Sequence, residues 1–257
     1  MNTIPWESPV KKKLSAGLPV FGAMIATNSV ESTTQIANLG FDFLWIEMEH
    51  SPITLETLRN TVLAARGLPA LLFARVPVNE LWMAKRVLDA GVSGVIFPFT
   101  STPELARQAV AGCRYPPHGR RGSGADLARF GWPDADRYID SADENVTVIA
   151  MVEEARAVEN IDEIAATPGV DVLFIGTSDL SFSLGLRGEQ DHPKLREAVD
   201  KVLDAGRRHK KCVGRTAYEP HKVKGYLDQG FRLLAAPTEI DFIKAGVKQY
   251  FEVAGKP

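Results

Sequence analysis

Phe43-Leu44-Trp45-Ile46-Glu47-Met48 is a run of apolar residues with one charged residue near its end, and Leu55–Arg66, a segment with helical spacing, follows it. The next apolar run, Ala70–Arg75, also ends in a charged side chain. A strand buried on both faces of a parallel sheet is apolar along its length, and a helix must return the chain before the next parallel strand begins. Residues 43–75 therefore predict a βαβ unit.

The same alternation extends along the whole chain. The predicted strands are Val20–Ile25, Phe43–Met48, Ala70–Arg75, Gly94–Pro98, Val146–Glu153, Val172–Ile175, Lys211–Gly214 and Arg232–Ala236. The predicted helices are Ser32–Leu39, Leu55–Arg66, Glu80–Ala90, Glu104–Cys113, Ala155–Ala166, Lys194–His209, Pro220–Gln229 and Glu239–Ala254. Eight strand–helix repeats predict an α/β fold, a (β/α)8 TIM barrel forming a single domain over residues 1–257. A doubly wound sheet is the alternative, although no Gly-x-Gly-x-x-Gly turn follows the first strand.

Composition excludes several classes of function. With 30 Lys+Arg against 32 Asp+Glu, the net charge of −2 gives no electrostatic basis for binding nucleic acid. No uncharged apolar run approaches the roughly 18 residues of a membrane-spanning helix. The two cysteines, Cys113 and Cys212, are too few for a disulfide framework. No apolar stretch follows Lys11-Lys12-Lys13, so we expect no signal peptide and a cytoplasmic location.

Charged side chains follow four of the predicted strands. They are Glu47 to His50 after the second strand, Arg75 after the third, Glu153 after the fifth and Asp179 after the sixth. Catalytic groups of (β/α)8 barrels lie at the carboxyl ends of the strands, so these residues predict an active site. Strand ends are exposed in any case, and for each residue taken alone a purely structural role is an equal alternative.

Glu153 and Asp179 follow neighbouring strands, and two carboxylates there suit a divalent ion such as Mg2+, Mn2+ or Co2+. Zinc is a poorer match because no His or Cys cluster accompanies them. The alternative is that Asp179 only caps the next helix.

His50 is the single histidine of five that lies at a strand end. Flanked by Glu47 and Glu49, it is a candidate general base whose tautomer a carboxylate fixes. Alternatively, it is a polar residue at the rim of the barrel.

The 13 lysines lie near the N-terminus, on helices or at strand starts, so no lysine is expected in the mouth to form a Schiff base. The loops after strands seven and eight lack glycine-rich turns, which argues against a phosphate ester as substrate.

Arg114–Asn145 interrupts the alternation and has no clear periodicity. A connection of this length in a compact domain is usually functional or disordered, and its later part, Trp132–Tyr138, is either a helix or a subunit contact.

Six motifs, in order along the chain, resemble the HpcH/HpaI aldolase/citrate lyase family, in particular its metal-dependent pyruvate aldolases. They are Phe43-Leu-Trp-Ile-Glu-Met-Glu-His50, Ala74-Arg-Val-Pro77, Val87-Leu-Asp-Ala-Gly91, Arg114-Tyr-Pro-Pro117 with Arg121-Gly-Ser-Gly124, Met151-Val-Glu153 and Phe174-Ile-Gly-Thr-Ser-Asp-Leu-Ser181. The resemblance implies a (β/α)8 barrel in a hexamer, a trimer of dimers, with the C-terminal helix packed on a neighbouring subunit. It also implies reversible cleavage of a 4-hydroxy-2-oxo acid to pyruvate and an aldehyde, as in the catabolism of aromatic compounds or sugar acids.

The resemblance also assigns roles to residues. Glu153 and Asp179 match the metal ligands, and Arg75 matches the arginine that stabilises the pyruvate enolate. His50 matches the base of the aldol step. The backbone of Gly176, Thr177 and Ser178 matches the turn that receives the pyruvate carboxylate. Asp89 matches an aspartate that the neighbouring subunit contributes near the aldehyde.

Two departures from the family concern the site. Glu47 stands where better-studied members have Asp, so its pairing with His50 is expected to differ. Thr177-Ser178 stands where those members have Pro-Ala, so the choice of aldehyde is expected to differ.

Oxaloacetate decarboxylation and cleavage of an acyl-CoA are alternative uses of the same metal site. A barrel without catalytic function is a weaker alternative, because His50, Arg75, Glu153 and Asp179 are all present.

Overall fold

Eight parallel strands close into a barrel in the computed structural model, which describes residues 6–130, 132–133 and 135–255. The strands are β1 Val20–Ile25, β2 Phe43–Glu47, β3 Leu71–Arg75, β4 Gly94–Phe97, β5 Thr147–Val152, β6 Val172–Ile175, β7 Cys212–Thr216 and β8 Leu233–Thr238. Each strand pairs with its neighbours in the sequence, and β8 pairs with β1. The predicted (β/α)8 barrel is confirmed, and the doubly wound alternative is wrong because the sheet has no open edge.

Helices surround the barrel. They are α1 Pro9–Ser15, α2 Val30–Ile36, α3 Leu55–Ala64, α4 Leu81–Ala90, α5 Pro103–Cys113, α6 Asp126–Arg129, α7 Tyr138–Asn145, α8 Ala155–Glu159, α9 Ile161–Ala166, α10 Thr177–Ser183, α11 Pro193–His209, α12 Val223–Gln229 and α13 Glu239–Ala254. Two predicted helices are divided: Ala155–Ala166 breaks at Asn160 into α8 and α9, and Pro220–Gln229 begins with a 3-10 turn at Pro220–Lys222 before α12.

Large aromatic rings fill the barrel interior. Phe43 stacks on Phe73 with ring centroids 4.9 Å apart, and Trp45 meets Phe174 edge to face at 4.8 Å. Each ring is fully buried and contributes roughly 1.5–3 kcal/mol to folding. Gly94 makes room for them, since a Cβ at this position would lie 2.7 Å from the Phe73 ring. Side chains therefore fill the interior of the barrel, and open space is left at the ends of the strands.

α1 closes the amino-terminal end of the barrel. Its N-cap Ser8 accepts a hydrogen bond from the Lys11 N–H, and its buried Val10 and Leu14 belong to the apolar cluster of the barrel interior. At the opposite end, the described residues leave a cavity open at the carboxyl ends of the strands.

The segment Arg114–Asn145 contains two short helices, α6 and α7, that the sequence did not predict. Trp132 is buried, with its ring edge to face against Trp6 at 4.6 Å and Tyr138 at 4.9 Å. Trp132 thus packs inside its own chain, and the helix begins only at Tyr138, after a 3-10 turn over Ala135–Arg137.

Within the described ranges, no helix combines the length and the apolar character that crossing a membrane requires.

Candidate active site

A cavity of about 800 Å³ opens at the carboxyl ends of the strands. Its lining includes seven of the residues predicted from the sequence, namely Glu47, His50, Arg75, Gly176, Thr177, Ser178 and Asp179. These residues come from the ends of three strands, and Glu47 and Asp179 are 132 positions apart along the chain. The barrel topology brings them to one opening.

Arg75 lies at the end of β3 and is held by two carboxylates from the end of β2. Its Nε donates to Oε2 of Glu47 at 2.6 Å, and its Nη1 lies 3.0 Å from Oε2 of Glu49. The guanidinium is 5.5 Å from the centroid of the Trp45 ring, and Nη1 also lies 3.9 Å from Sδ of Met151. Only 10% of the Arg75 side chain is exposed, so its orientation is fixed before a substrate binds.

Glu47 organises the β2 end through its two oxygens. Oε2 accepts hydrogen bonds from Arg75 and from Nε1 of Trp45, at 3.1 Å for the latter. Oε1 accepts from the backbone N–H groups of Glu49 at 2.7 Å and of His50 at 2.9 Å. Glu47 therefore holds the backbone of His50 and makes no contact with its imidazole ring.

The His50 ring extends into the cavity opening, and 64% of its side chain is exposed. Its nearest acidic neighbour is Glu49, whose Oε2 lies 3.7 Å from Nε2, too far for a hydrogen bond. The expectation that a flanking carboxylate fixes the tautomer of His50 is thus not met by this geometry. The physical reason is that the Glu47 carboxylate is already occupied by four donors.

Glu49 is a residue whose part in the site the sequence did not define. Its Oε2 is buried and makes no hydrogen bond to any described residue, although it lies beside Arg75 and His50. Burial raises the pKa of Glu49, while Arg75 opposes that shift. The sequence pointed to Glu49 as a carboxylate flanking His50, but not as an ion-pair partner of Arg75.

Glu153 follows β5 and is only 1% exposed. Its Oε1 accepts a hydrogen bond from the Phe99 N–H at 2.6 Å, and Phe99 has a left-handed backbone with φ of 47°. Gly176 lies against the same carboxylate, because a Cβ at Gly176 would be 2.8 Å from Oε2. Burial raises the pKa of Glu153 to about 7, and no cation within the described residues forms an ion pair with it.

Asp179 stands in the first turn of α10, which begins at Thr177 directly after β6 and Gly176. The first N–H groups of a helix have no acceptor within it, and they stabilise negative charge nearby. The sequence predicted a turn here, and the structure shows that the turn is the start of a helix facing the cavity.

The residues present fit a divalent ion bound by Glu153 and Asp179. Both are carboxylates, the ligand type that Mg2+ and Mn2+ prefer, and they interact electrostatically. The buried carboxylate of Glu153 has no ion-pair partner among the described residues, and a bound divalent ion would compensate its negative charge. Among the described residues, no group of three His, Cys, Asp or Glu side chains forms a complete site, so the remaining ligands would be water or substrate.

Asp89 lies outside the cavity of its own chain. It is near the C-terminal end of α4, which runs from the end of β3 back towards the amino-terminal end of the barrel. Its Oδ1 accepts from Nη2 of the buried Arg121 at 3.3 Å, and the same Nη2 donates to the Tyr138 hydroxyl at 2.6 Å. Any catalytic role of Asp89 would therefore require a second chain.

The far side of the cavity contains residues that the sequence reading passed over, among them Arg215, Tyr218 and Lys222. Arg215 was overlooked because the seventh strand, predicted to end at Gly214, continues to Thr216. Lys222 corrects the expectation that no lysine reaches the mouth. It is exposed and donates to Glu219 at 2.9 Å, which raises its pKa, so it lacks the desolvation that a Schiff-base lysine needs.

A (β/α)8 barrel with carboxylates and a buried arginine at the carboxyl ends of its strands has the arrangement of an enzyme active site. Residues 21–241 match the model of the HpcH/HpaI aldolase/citrate lyase family. The chain is 35% identical over 231 residues to a hydroxypyruvate/pyruvate aldolase of Roseobacter denitrificans, covering 90% of each chain. It is 31% identical over 249 residues to a 5-keto-4-deoxy-D-glucarate aldolase of Escherichia coli, covering 97% of each.

A solved structure supports the same relationship. The fold matches the crystal structure of an HpcH/HpaI aldolase/citrate lyase family protein from Burkholderia cenocepacia with a TM-score of 0.90 and 34% identity, over 97% of this chain and 100% of that one. The chain belongs to the HpcH/HpaI aldolase/citrate lyase family. It is a carbon–carbon lyase of the aldolase type.

Proposed function

We propose that the protein catalyses the divalent-metal-dependent, reversible aldol cleavage of a 4-hydroxy-2-oxo acid to pyruvate and an aldehyde. The observation that carries the proposal is the buried carboxylate of Glu153, which has no ion-pair partner among the described residues and interacts electrostatically with Asp179, a residue of the cavity that Arg75 also lines. The similarity to a hydroxypyruvate/pyruvate aldolase supports pyruvate as the product.

Glu153 and Asp179 would hold the ion, which when bound would stabilise negative charge on the keto oxygen of the substrate. Arg75 adds a fixed guanidinium at the same oxygen, and its planar fork is kept in position by Glu47 and Glu49. The N–H groups of Thr177 and Ser178 at the start of α10 would receive the substrate carboxylate. The Gly176 N–H, which the sequence had included in this turn, instead donates to the Val152 carbonyl at 3.1 Å.

His50 is the proposed base for the C4 hydroxyl. Removal of that proton lets the C3–C4 bond break, and the electron pair of the bond passes to the pyruvate enolate, which is then protonated at C3. His50 is suited to exchange protons with solvent because its ring is exposed at the cavity opening.

We also propose that the chain folds as one domain and works as a homo-oligomer, a hexamer built as a trimer of dimers with α13 packed on a neighbouring subunit. Support comes from the apolar side chains that α13 exposes along most of its length.

Exchange of pyruvate methyl protons with deuterated solvent tests the proposed function without any choice of aldehyde. We expect exchange by the purified enzyme with Mg2+, Mn2+ or Co2+, loss of exchange with excess chelator, and recovery when the ion is restored. Asp179→Asn should abolish both exchange and metal binding measured by calorimetry, whereas Asp204→Asn, on the exposed face of α11, serves as the matched control. Full exchange after exhaustive chelation would contradict the proposal.

A further inference from the structure

Arg215 stands on the wall of the active-site cavity away from the proposed pyruvate residues. On β7, Gly214 faces the barrel interior, since a Cβ there would lie 2.8 Å from the Phe174 ring. Successive side chains of a strand point to opposite faces, so Arg215 points away from the barrel axis, towards α12. It nevertheless lines the same cavity as Arg75 and Asp179.

The guanidinium of Arg215 is fixed in place. It lies 3.9 Å from the centroid of the Tyr226 ring and 5.3 Å from that of Phe231, and its Nε donates to the Thr216 carbonyl at 3.2 Å. A guanidinium stacked on a ring keeps its edge free for two parallel hydrogen bonds in its own plane. Because the group is already ordered, a ligand that binds this edge loses little conformational entropy.

Arg215 carries an uncompensated positive charge. Across residues 6–130, 132–133 and 135–255, no carboxylate forms an ion pair with it, and Nη1 and Nη2 have no hydrogen-bond partner. The carboxylate that interacts electrostatically with Arg215 is Glu219, which is itself paired with Lys222 at 2.9 Å. Burial lowers the pKa of Arg215, a sign that the cation is partly desolvated.

We propose that Arg215 is a specificity-determining residue that binds a carboxylate on the aldehyde half of the substrate, so that the enzyme favours aldehydes bearing a carboxylate over uncharged ones. The inference rests on the proposed aldolase function. The pyruvate half is assigned to Arg75 and the Gly176–Ser178 turn, and the off-axis wall of β7 and α12 is the part of the cavity left for the other half. A planar, bidentate donor matches a carboxylate better than a point charge does.

The test compares the aldol reaction of pyruvate with matched aldehydes. Glyoxylate, 4-oxobutanoate and 5-oxopentanoate are each paired with the corresponding methyl ester, which keeps the length and removes the charge. The measured quantity is the ratio of kcat/KM for acid and ester in the pair that gives the highest ratio. We expect a ratio of at least about 10 for the wild type, and a fall of about 10- to 100-fold in Arg215→Leu, the range expected for a hydrogen bond to a charged group.

Variants separate a specific role from a structural one. Arg215→Lys should retain part of the ratio, because it keeps the charge without the fork. Arg207→Leu, which removes an exposed arginine of α11 outside the cavity, is the control for net charge. If Arg215→Leu acts only by disturbing the fold, kcat/KM should fall equally for the acid and the ester, and that result would overturn the proposal.

Two further outcomes are decisive. Glyceraldehyde 3-phosphate against glyceraldehyde tests the other anion, and a preference for the phosphate with none for any carboxylate would overturn the carboxylate assignment. A wild type that exchanges pyruvate methyl protons but shows an acid-to-ester ratio near 1 would overturn the role of Arg215 and leave the proposed function intact. Absence of both exchange and aldol reaction would instead contradict the proposed function.

Discussion

Arg75 is the residue whose surroundings are most completely fixed. Glu47 and Glu49 hold two edges of its guanidinium, and the Trp45 ring lies 5.5 Å away. We expect Arg75→Ala to slow pyruvate methyl exchange and aldol cleavage together, by about 100- to 1000-fold, since one preorganised donor to an oxyanion is lost. Arg75→Lys should recover little, because lysine cannot contact both carboxylates through a planar fork. Exchange at the wild-type rate in a folded Arg75→Ala variant would remove Arg75 from the enolate site.

Substitution of His50 should lower catalytic activity and leave the stability of the fold nearly unchanged. Its ring is 64% exposed and makes no hydrogen bond to a described residue, so His50→Ala should change the free energy of unfolding by less than about 0.5 kcal/mol. We expect aldol cleavage to fall by about 100-fold or more, with methyl exchange less affected, because the proposed role of His50 is to take the proton of the C4 hydroxyl. Steady-state cleavage and deuterium exchange on one preparation measure both. Cleavage near the wild-type rate would show that His50 is only a rim residue.

Glu153 gives the metal-free protein a distinctive dependence on pH. Burial raises its pKa to about 7, whereas the carboxyl of the unfolded chain titrates near 4.5. Between these pH values the folded protein holds a proton that the unfolded chain has lost, so this residue lowers the free energy of unfolding as pH rises. With chelator present, Glu153→Gln should therefore be more stable than the wild type by up to about 3 kcal/mol at pH 8, and the difference should shrink towards pH 5.

Urea unfolding at several pH values measures this difference. Added Mn2+ should reverse the order of stability, since only the wild type keeps both proposed ligands and gains free energy from binding. A wild type as stable as Glu153→Gln at pH 8 in chelator would contradict the account, because it would mean that the buried charge is compensated without metal.

Sequence identified which residues meet at the mouth, but not their hydrogen-bond partners. Glu47, Arg75 and Asp179 were recognisable because each follows an apolar strand, and parallel strands end at the same edge. That Glu47 would bind the His50 backbone and leave the ring free depends on the geometry of the turn after β2, which residue types do not specify. The left-handed Phe99, which aims its N–H at Glu153, had no signal in the sequence either.

At the scale of elements, long buried runs were predicted well and short connecting helices were not. β5 was expected over Val146–Glu153 and spans Thr147–Val152, a difference of one residue at each end. Thr54 and Thr102 cap α3 and α5 by accepting from the N–H of the third helical residue. α6 has only four residues, and a helix this short is stabilised by its tertiary contacts and carries no periodic pattern to detect.

A substitution in α1 should lower stability without changing activity. Leu14 is buried against the amino-terminal end of the barrel, at the opposite end from the cavity. We expect Leu14→Ala to lower the free energy of unfolding by about 2–4 kcal/mol, through lost burial and the cavity left behind, with kcat/KM unchanged at 25 °C. Leu18→Ala is the matched control, since Leu18 is about half exposed and its loss should cost little. Equal effects of the two substitutions in urea unfolding would show that α1 does not seal the barrel.

At the scale of the whole molecule, α13 presents an apolar face that does not pack on the barrel. α13 ends the described chain, and its side chains Ile243, Val247, Tyr250 and Val253 are 49–85% exposed. The spacing of 4, 3 and 3 places them on one helical face, and an apolar face of this size in water is typical of a subunit interface. The closed barrel could be predicted from eight repeats, but how chains associate depends on surface complementarity that a single sequence does not display.

The proposed role of Asp89 would connect oligomer formation with catalysis, and mixed oligomers test that connection. It lies away from the cavity of its own chain, held by Arg121, so a catalytic role requires that it reach a neighbour's cavity. Asp89→Ala and Glu153→Ala should each be inactive alone, with a solution mass that is a multiple of 28.1 kDa. When the two variants are unfolded together and refolded at a 1:1 ratio, some sites combine an intact Glu153 with the neighbour's intact Asp89. Random assembly of a symmetric oligomer predicts recovery of about a quarter of the wild-type activity. No recovery in mixed oligomers, or an active monomer in light scattering, would show that Asp89 supports only the structure of its own chain, where its partner is Arg121.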